Sequence, residues 1–292
     1  MKNIFKNLTQ NPKNDFLSGL TVALALVPEA VAFAFIAGID PLVGLYGAFM
    51  MGIVTAIFGG RPGMISGATG AMAVVMVHMI QKGNQVGDTL AVPVENLGLH
   101  WLFITLLIVG VIQASAGIFK LGKFVRLIPH SVMMGFVNGL AIVIFLSQLG
   151  LFQKTTSTGT EWIQGVELYT MLALVALTMG IMYFLPKLTT KVPAALVAIV
   201  CVALVTVFGG IEVSTVGSFI RDGGGEGLKG GLPVFQGQIF ELLYTLEGHW
   251  GLILPTAFLL AAVGLIESLM TLNLVDEITQ TRGSGNRECL AQ

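Results

Sequence analysis

Apolar runs of helical length recur along this sequence with only short polar breaks between them, and a chain built this way has one fold class open to it. In a bilayer core each backbone N–H and C=O must be satisfied within the protein, so only helices and closed barrels cross. The runs lack the alternation over about ten residues that outer-membrane strands show. An all-α polytopic membrane bundle follows. Of the 292 residues 54% are hydrophobic and 11% charged, against roughly one quarter charged in soluble domains. A formal net charge of −1 without a basic stretch excludes a nucleic-acid partner. Cys201 lies inside an apolar run and Cys289 near the end, which implies neither a disulfide framework nor a metal cluster. Lys2, Lys6 and Lys13 precede an apolar run reaching Ala32-Phe33-Ala34, a pattern shared with signal peptides. Another spanning segment follows at once, so the run is read as a span.

The expected spans run in order. The first, Asp15 to Ile39, is interrupted by Pro28, which removes the hydrogen bond to the Leu24 carbonyl. Leu42 to Phe58 is the second, with Gly44, Gly47 and Gly52 spaced for close helix approach. The fourth is His100 to Lys120, reached through a polar loop from Gln81 to Gly98. Lys123, Arg126 and Pro129 mark a short amphipathic entry to the fifth, Ser131 to Leu151. A Thr- and Ser-rich loop from Gln153 to Gln164 precedes the sixth, Val166 to Leu185, and the seventh is Val192 to Phe208. Gly209 to Gly237 is the longest polar connection, and the eighth span, Leu252 to Val275, leads into a charged tail. With a cytoplasmic N-terminus, eleven of the 15 basic residues, Arg61 among them, fall on the cytoplasmic side. Only Lys82, Lys154, Arg221 and Lys229 fall opposite, as the positive-inside rule requires. The expected location is the plasma membrane.

The third segment is different. Gly59-Gly60-Arg61-Pro62-Gly63 cannot be regular helix, and the helix expected from Ala68 to about Gln81 covers roughly 20 Å, short of a roughly 30 Å hydrocarbon core. A half-helix therefore begins near mid-membrane. Its first turn, Gly67-Ala68-Thr69-Gly70, offers N–H groups at the positive end of the helix dipole with a Thr hydroxyl beside them, the ingredients of an anion site. The alternative is a re-entrant loop or a kinked packing helix.

Two carboxylates belong to no loop. Glu29 follows Pro28, and Glu267 lies midway along the eighth span with Thr271 one turn later on the same face. A charge at the centre of a span costs roughly 2.5 to 3.5 kcal/mol on insertion scales. Such a residue is either a protonated partner in an interhelical hydrogen bond or a proton- or cation-binding group in a wet cavity. Asn138, Ser147 and Gln148 read as helix-packing groups, Met72 and Met76 as packing, and His78 as a surface residue.

Several motifs carry a family likeness. Leu26-Val27-Pro28-Glu29-Ala30-Val31-Ala32-Phe33-Ala34, Ala37-Gly38-Ile39-Asp40-Pro41-Leu42-Val43-Gly44-Leu45-Tyr46, Phe58-Gly59-Gly60 and Ser66-Gly67-Ala68-Thr69-Gly70 resemble, in order and spacing, the SulP family. These are the sulfate permeases and anion transporters related to prestin and pendrin. The likeness continues through Lys120-Leu121-Gly122-Lys123 and Ile128-Pro129 to the eighth span.

The resemblance implies fourteen segments in two inverted repeats of seven, of which this sequence holds the first repeat plus the eighth span. It divides the chain into a leader (1–14), core spans one to four (15–120), gate spans five to seven (121–210), an extracytoplasmic loop (211–250), core span eight (251–276) and a cytoplasmic end (277–292). Ser66, Gly67, Ala68, Thr69 and Gly70 take the anion-binding role, facing a second half-helix in the missing repeat. Members with a Glu after the first-span proline are thought to couple to protons, which gives Glu29 that role. Sodium-coupled bicarbonate members resemble the chain at Glu267 and Thr271, although they carry Asp at the first of these positions and lack the first-span Glu. The coupling ion is thus H+ or Na+, with no cofactor and no resident metal.

The expected function is secondary active transport of a small inorganic anion, sulfate or a similar oxyanion, coupled to protons by alternating access. Sodium-coupled bicarbonate transport and an anion channel or non-transporting membrane protein are the alternatives. No His-Glu-x-x-His, nucleophile elbow or Cys/His cluster points to an enzyme. The expected partners are the anion, the lipid bilayer and, as in many relatives, a second copy in a homodimer. The sequence is expected to be the N-terminal part of a transporter, inactive alone and needing the C-terminal repeat in cis or in trans.

Overall fold

The computed structural model describes residues 12–67, 69–90, 93–123, 130–149, 152–156, 159–189, 192, 194–211, 213, 231–233 and 237–292. Ala68, the leader through residue 11, Arg126, Ile128, Pro129, Lys191, Arg221 and Lys229 lie outside the described residues, as does the Gly223-Gly224-Gly225 run. The helices are α1 (Pro12–Ala37), α2 (Pro41–Phe58), α3 (Gly70–Thr89), α4 (Leu97–Ile118), α5 (His130–Leu149), α6 (Val166–Leu188), α7 (Ala194–Phe208), α8 (Trp250–Thr279) and the short α9 (Gly285–Ala291). Among the described residues, five helices are long and apolar enough to cross a membrane: α1 from Asp15, α2, α4, α6 and α8. At about 1.5 Å per residue, α5 has the length as well, whereas the 15 residues of α7 reach only about 22 Å.

The described residues divide into two compact units, one within 30–144 and 229–292, the other within 1–29 and 145–228. In the second, α6 packs on α7, and Lys187 in the last turn of α6 sets its Nζ 3.5 Å over the Tyr183 ring. Where the sequence predicts a Thr- and Ser-rich loop before α6, the chain forms a hairpin. Its strands β1 (Gln153–Thr156) and β2 (Gly159–Trp162) pair antiparallel, with Gln153 opposite Trp162.

The first unit is built on α8. Its buried residues Ile253, Ala257, Leu260, Ala261, Gly264, Ser268, Leu269 and Leu272 fall at helical spacing, one stripe of a largely apolar helix. Phe258 and Leu259 point outward, 61% and 51% exposed. The stripe is rich in small residues, which lets neighbouring backbones come close. Ala257, Leu260 and Ala261 pack with Val109 of α4 and with Met72, Val75 and Met76 of α3. A second layer joins Phe33 and Ala37 of α1 to Ala73, Met79 and Ile80 of α3 and Leu102 of α4. Asp40 starts α2 by accepting the Leu42 N–H at 2.7 Å, with Pro41 in the first helical position, where a missing N–H costs nothing.

Four further expectations change. Helix α1 runs unbroken through Pro28: in a solvent without hydrogen bonds, losing one bond is cheaper than opening a turn. Of the three α2 glycines only Gly44 makes a close approach, its Cα so placed that a Cβ would lie 2.8 Å from the Ala34 Cβ. Gly47 and Gly52 face open space. The third helix begins at Gly70 and continues to Thr89, so most of the expected loop after Gln81 is helical. Poor helix formers there are held by packing: a Cβ on Gly83 would lie 2.5 Å from the Gly98 Cα, and Asn84 Oδ1 accepts the Gly98 N–H at 2.9 Å. Finally, residues 285–291 are not a loose tail but helix α9, with Glu288, Cys289 and Ala291 buried.

Candidate functional site

Between α2 and α3 the described residues 59–67 and 69 form a non-helical strap that meets the C-terminal part of α8 and helix α9. At its start a Cβ on Gly60 would collide with the Ser284 carbonyl oxygen and lie 2.9 Å from the Glu288 N, so this approach requires glycine. Ser284 donates its N–H to the Gly60 carbonyl at 3.0 Å. Arg61 follows, 8% exposed. Its guanidinium pairs with Asp276, donates to the Thr279 hydroxyl and to Thr281 Oγ1 at 2.6 Å, and reaches the Val275 and Thr281 carbonyls at 3.3 and 3.2 Å. The strap then climbs: Ser66 Oγ accepts from Gln292 Nε2 at 2.9 Å, and the same Nε2 donates to Ser268 Oγ at 2.7 Å.

The strap ends at Thr69, extended at φ −128°, ψ 141°, which caps α3 by accepting the Met72 N–H on its hydroxyl at 3.4 Å. Met72 faces the centre of α8, its Sδ 3.6 Å from where a Cβ on Gly264 would stand. Gly264 is midway along Trp250–Thr279. The helix therefore starts halfway down a spanning helix. Its apolar part, Gly70 to Ile80, covers about 16 Å before the polar run from Gln81. The 20-residue α3 has the length of a full span but an apolar stretch of only half one. The first turn holds no acidic residue, so nothing of this helix opposes the partial positive charge of its leading N–H groups. From the far side Gln113 of α4, 4% exposed, sets its Nε2 3.5 Å from the Ala261 carbonyl.

The structure thus sets Thr69 and Gly70 at the start of α3, whose Met72 meets Gly264 of α8, and ties Ser66 through Gln292 to Ser268, with Gly67 following Ser66 in the strap. Glu267 sits half-buried on α8, three residues from Gly264 and next to Ser268. Thr271 donates its hydroxyl to the Glu267 carbonyl at 3.0 Å. Glu29 is exposed and belongs to the other unit, at the end of its first segment. Ser66 has its hydroxyl engaged by Gln292, which places it in the support of the strap. Chemically, helix-end N–H groups at mid-depth recognise negative charge, and a carboxylate a few residues away supplies a group that can take a proton or a cation. The sequence reading missed Arg61 as an anchor and Glu288, Gln292 and Gln113 altogether. The four-residue spacing of Glu288 and Gln292, which puts both on one helix face, was the available signal.

Three comparisons bear on this arrangement. The model of the sulfate permease family matches residues 13–292. The chain is 42% identical over 282 residues to the "Putative sulfate transporter YbaR" of Bacillus subtilis, covering 97% of this chain and 52% of that protein. It is 31% identical to the bicarbonate transporter BicA of Picosynechococcus, covering 97% and 49%. The chain therefore spans about half the length of these curated relatives. Among solved structures, the transmembrane domain of a cyanobacterial BicA superposes with a TM-score of 0.72 at 27% identity, over 97% of this chain and 70% of that one. Murine Slc26a9, an anion transporter in the inward-facing state, shares the fold with a TM-score of 0.62 at 17% identity, over 95% and 48%. With α3, strap and span assembled as described and the family model matching nearly the whole chain, this protein belongs to the sulfate permease family.

Proposed function

We propose that this chain is the anion-recognising portion of a secondary active transporter, with a small oxyanion such as sulfate bound at the N-terminus of α3 and moved across the plasma membrane by alternating access. The observation that carries the reading is the start of α3 at mid-depth against Gly264 of α8, free of acidic residues in its first turn. An anion there gains from the helix dipole and from the leading N–H groups. Gly67, Thr69 and Gly70 border it, and Ala68 lies in the same stretch. The chain is no enzyme in this reading, and it works with a second repeat supplied in cis or in trans, in a bilayer with a cytoplasmic N-terminus and in a homodimer.

Glu29 carries the coupling proton. In proteoliposomes of the full-length protein, sulfate uptake saturates and rises with an imposed inward proton gradient, and Glu29→Gln removes the response to the gradient. Uptake by Glu29→Gln that still follows the gradient would remove Glu29 from the mechanism. A second reading rests on Glu267 and Thr271, four residues apart with the hydroxyl bonded back to the Glu267 carbonyl, and on the likeness to BicA: bicarbonate carried with sodium bound at this pair. Sodium-driven bicarbonate uptake that Glu267→Ala abolishes selects it; sulfate uptake indifferent to sodium selects the first.

A further inference from the structure

Among the described residues Glu288 is the one acidic side chain in the buried core, 2% exposed, and it belongs to no part of the anion site. Its Oε2 accepts the Gly60 N–H at 2.7 Å and its Oε1 accepts the Ser268 hydroxyl at 2.9 Å. Ser268 in turn accepts from Gln292, which also donates to Ser66. One unbroken hydrogen-bonded path thus runs from Gly60 through Glu288, Ser268 and Gln292 to Ser66. Gly60 opens the strap that enters α3, Ser66 lies three residues before its cap, and Ser268 is the neighbour of Glu267.

We infer that Glu288 is a positioning residue for the anion site: through Gly60 and Ser268 it clasps the strap to α8, so that the α3 N-terminus and Glu267 are held in one fixed arrangement. The inference rests on the transport reading above for its functional consequence. A carboxyl group suits the task because both of its partners are donors and each of its two oxygens can accept one of them. Without the clasp the strap samples other conformations. Apparent affinity then falls by the fraction of time the N–H groups are correctly placed, while the moving step, once the anion is bound, changes little.

The test uses the full-length protein in proteoliposomes with radiolabelled sulfate, together with hydrogen–deuterium exchange of the same preparations. Glu288→Ala raises KM on the order of tenfold with maximal rate nearly unchanged. Glu288→Gln, whose amide has one acceptor oxygen for two donors, falls between it and wild type, and Ser268→Ala costs less when added to Glu288→Ala than it does in the wild-type protein. Exchange in peptides covering residues 60–69 rises in both Glu288 variants and stays as in wild type over residues 102–116 of α4. Should Glu288→Ala fail to fold, Glu288→Gln and Ser268→Ala, which breaks the same path from the other side, carry the comparison. Unchanged exchange over 60–69, or a loss of maximal rate at constant KM, would overturn the inference. So would loss of pH dependence in Glu288→Gln, which would make it a proton carrier. A wild-type protein that takes up no anion defeats the transport reading alone, and the exchange comparison still decides the clasp.

Discussion

Arg61 illustrates what a single position can hide. Counted along the sequence it is one loop charge among eleven on the same side of the membrane, a placement that needs nothing from it but proximity to water. In the folded chain it is buried, with Asp276, 215 residues away, as its counter-ion and Val275, Thr279 and Thr281, at and just beyond the end of α8, as its acceptors. A planar guanidinium can serve several acceptors at once where an ammonium cannot. Removing one partner of a buried pair leaves the other charge uncompensated, so Arg61→Ala is expected to destabilise the protein by about 3–5 kcal/mol. The double variant Arg61→Ala/Asp276→Ala recovers part of that loss. Denaturant unfolding in detergent measures both, and a loss under about 1 kcal/mol would reduce the pair to an ordinary surface salt bridge. Residue types and their charges were legible in the sequence. Partners more than two hundred positions apart were not, because no local pattern records them.

For elements, the sequence located the helices well where apolarity sets their limits and poorly where packing does. The second span was expected from Leu42 to Phe58 and is Pro41–Phe58; the sixth was expected from Val166 and begins there. Lipid as solvent fixes such boundaries. The third helix instead continues eight residues past Gln81, through Gly83 and Gly87, because its glycines seat against α4 and composition alone reads as loop. That contact can be tested. A Cβ on Gly98 would collide with the Ile80 carbonyl oxygen, whereas one on Gly110, in the same helix, meets nothing within 4 Å. Gly98→Ala is therefore expected to lower stability by about 1–3 kcal/mol through overpacking, and Gly110→Ala to raise it by about 0.4–1 kcal/mol. Thermal unfolding of the two variants side by side gives the sign of each; equal melting temperatures would mean that α3 and α4 are not in backbone contact. The hairpin at 153–162 and helix α9 escaped notice for a different reason. Both are short and polar, and a segment of that kind takes its structure from what it packs on.

As a whole, the molecule has its spanning class, the order of its helices and the mid-depth start of α3 written in its hydrophobic pattern. The strap and the clasp that hold that start in place are not, since they are made by Gly60, Arg61, Ser66, Ser268, Asp276, Glu288 and Gln292 meeting in space. The central claim is that the N-terminus of α3 binds the transported anion, and Thr69 offers the sharpest test. Asp caps a helix as well as Thr does and favours the positive end of the dipole, so Thr69→Asp should leave folding intact while placing a fixed negative charge where the anion would sit. Sulfate uptake into proteoliposomes of the full-length protein, measured for wild type and Thr69→Asp at matched thermal stability, is the direct measurement. The account predicts a rise in KM of at least about tenfold, or loss of saturable uptake, with the melting temperature held or raised. Uptake by Thr69→Asp with the wild-type KM would contradict it and move the anion site away from α3.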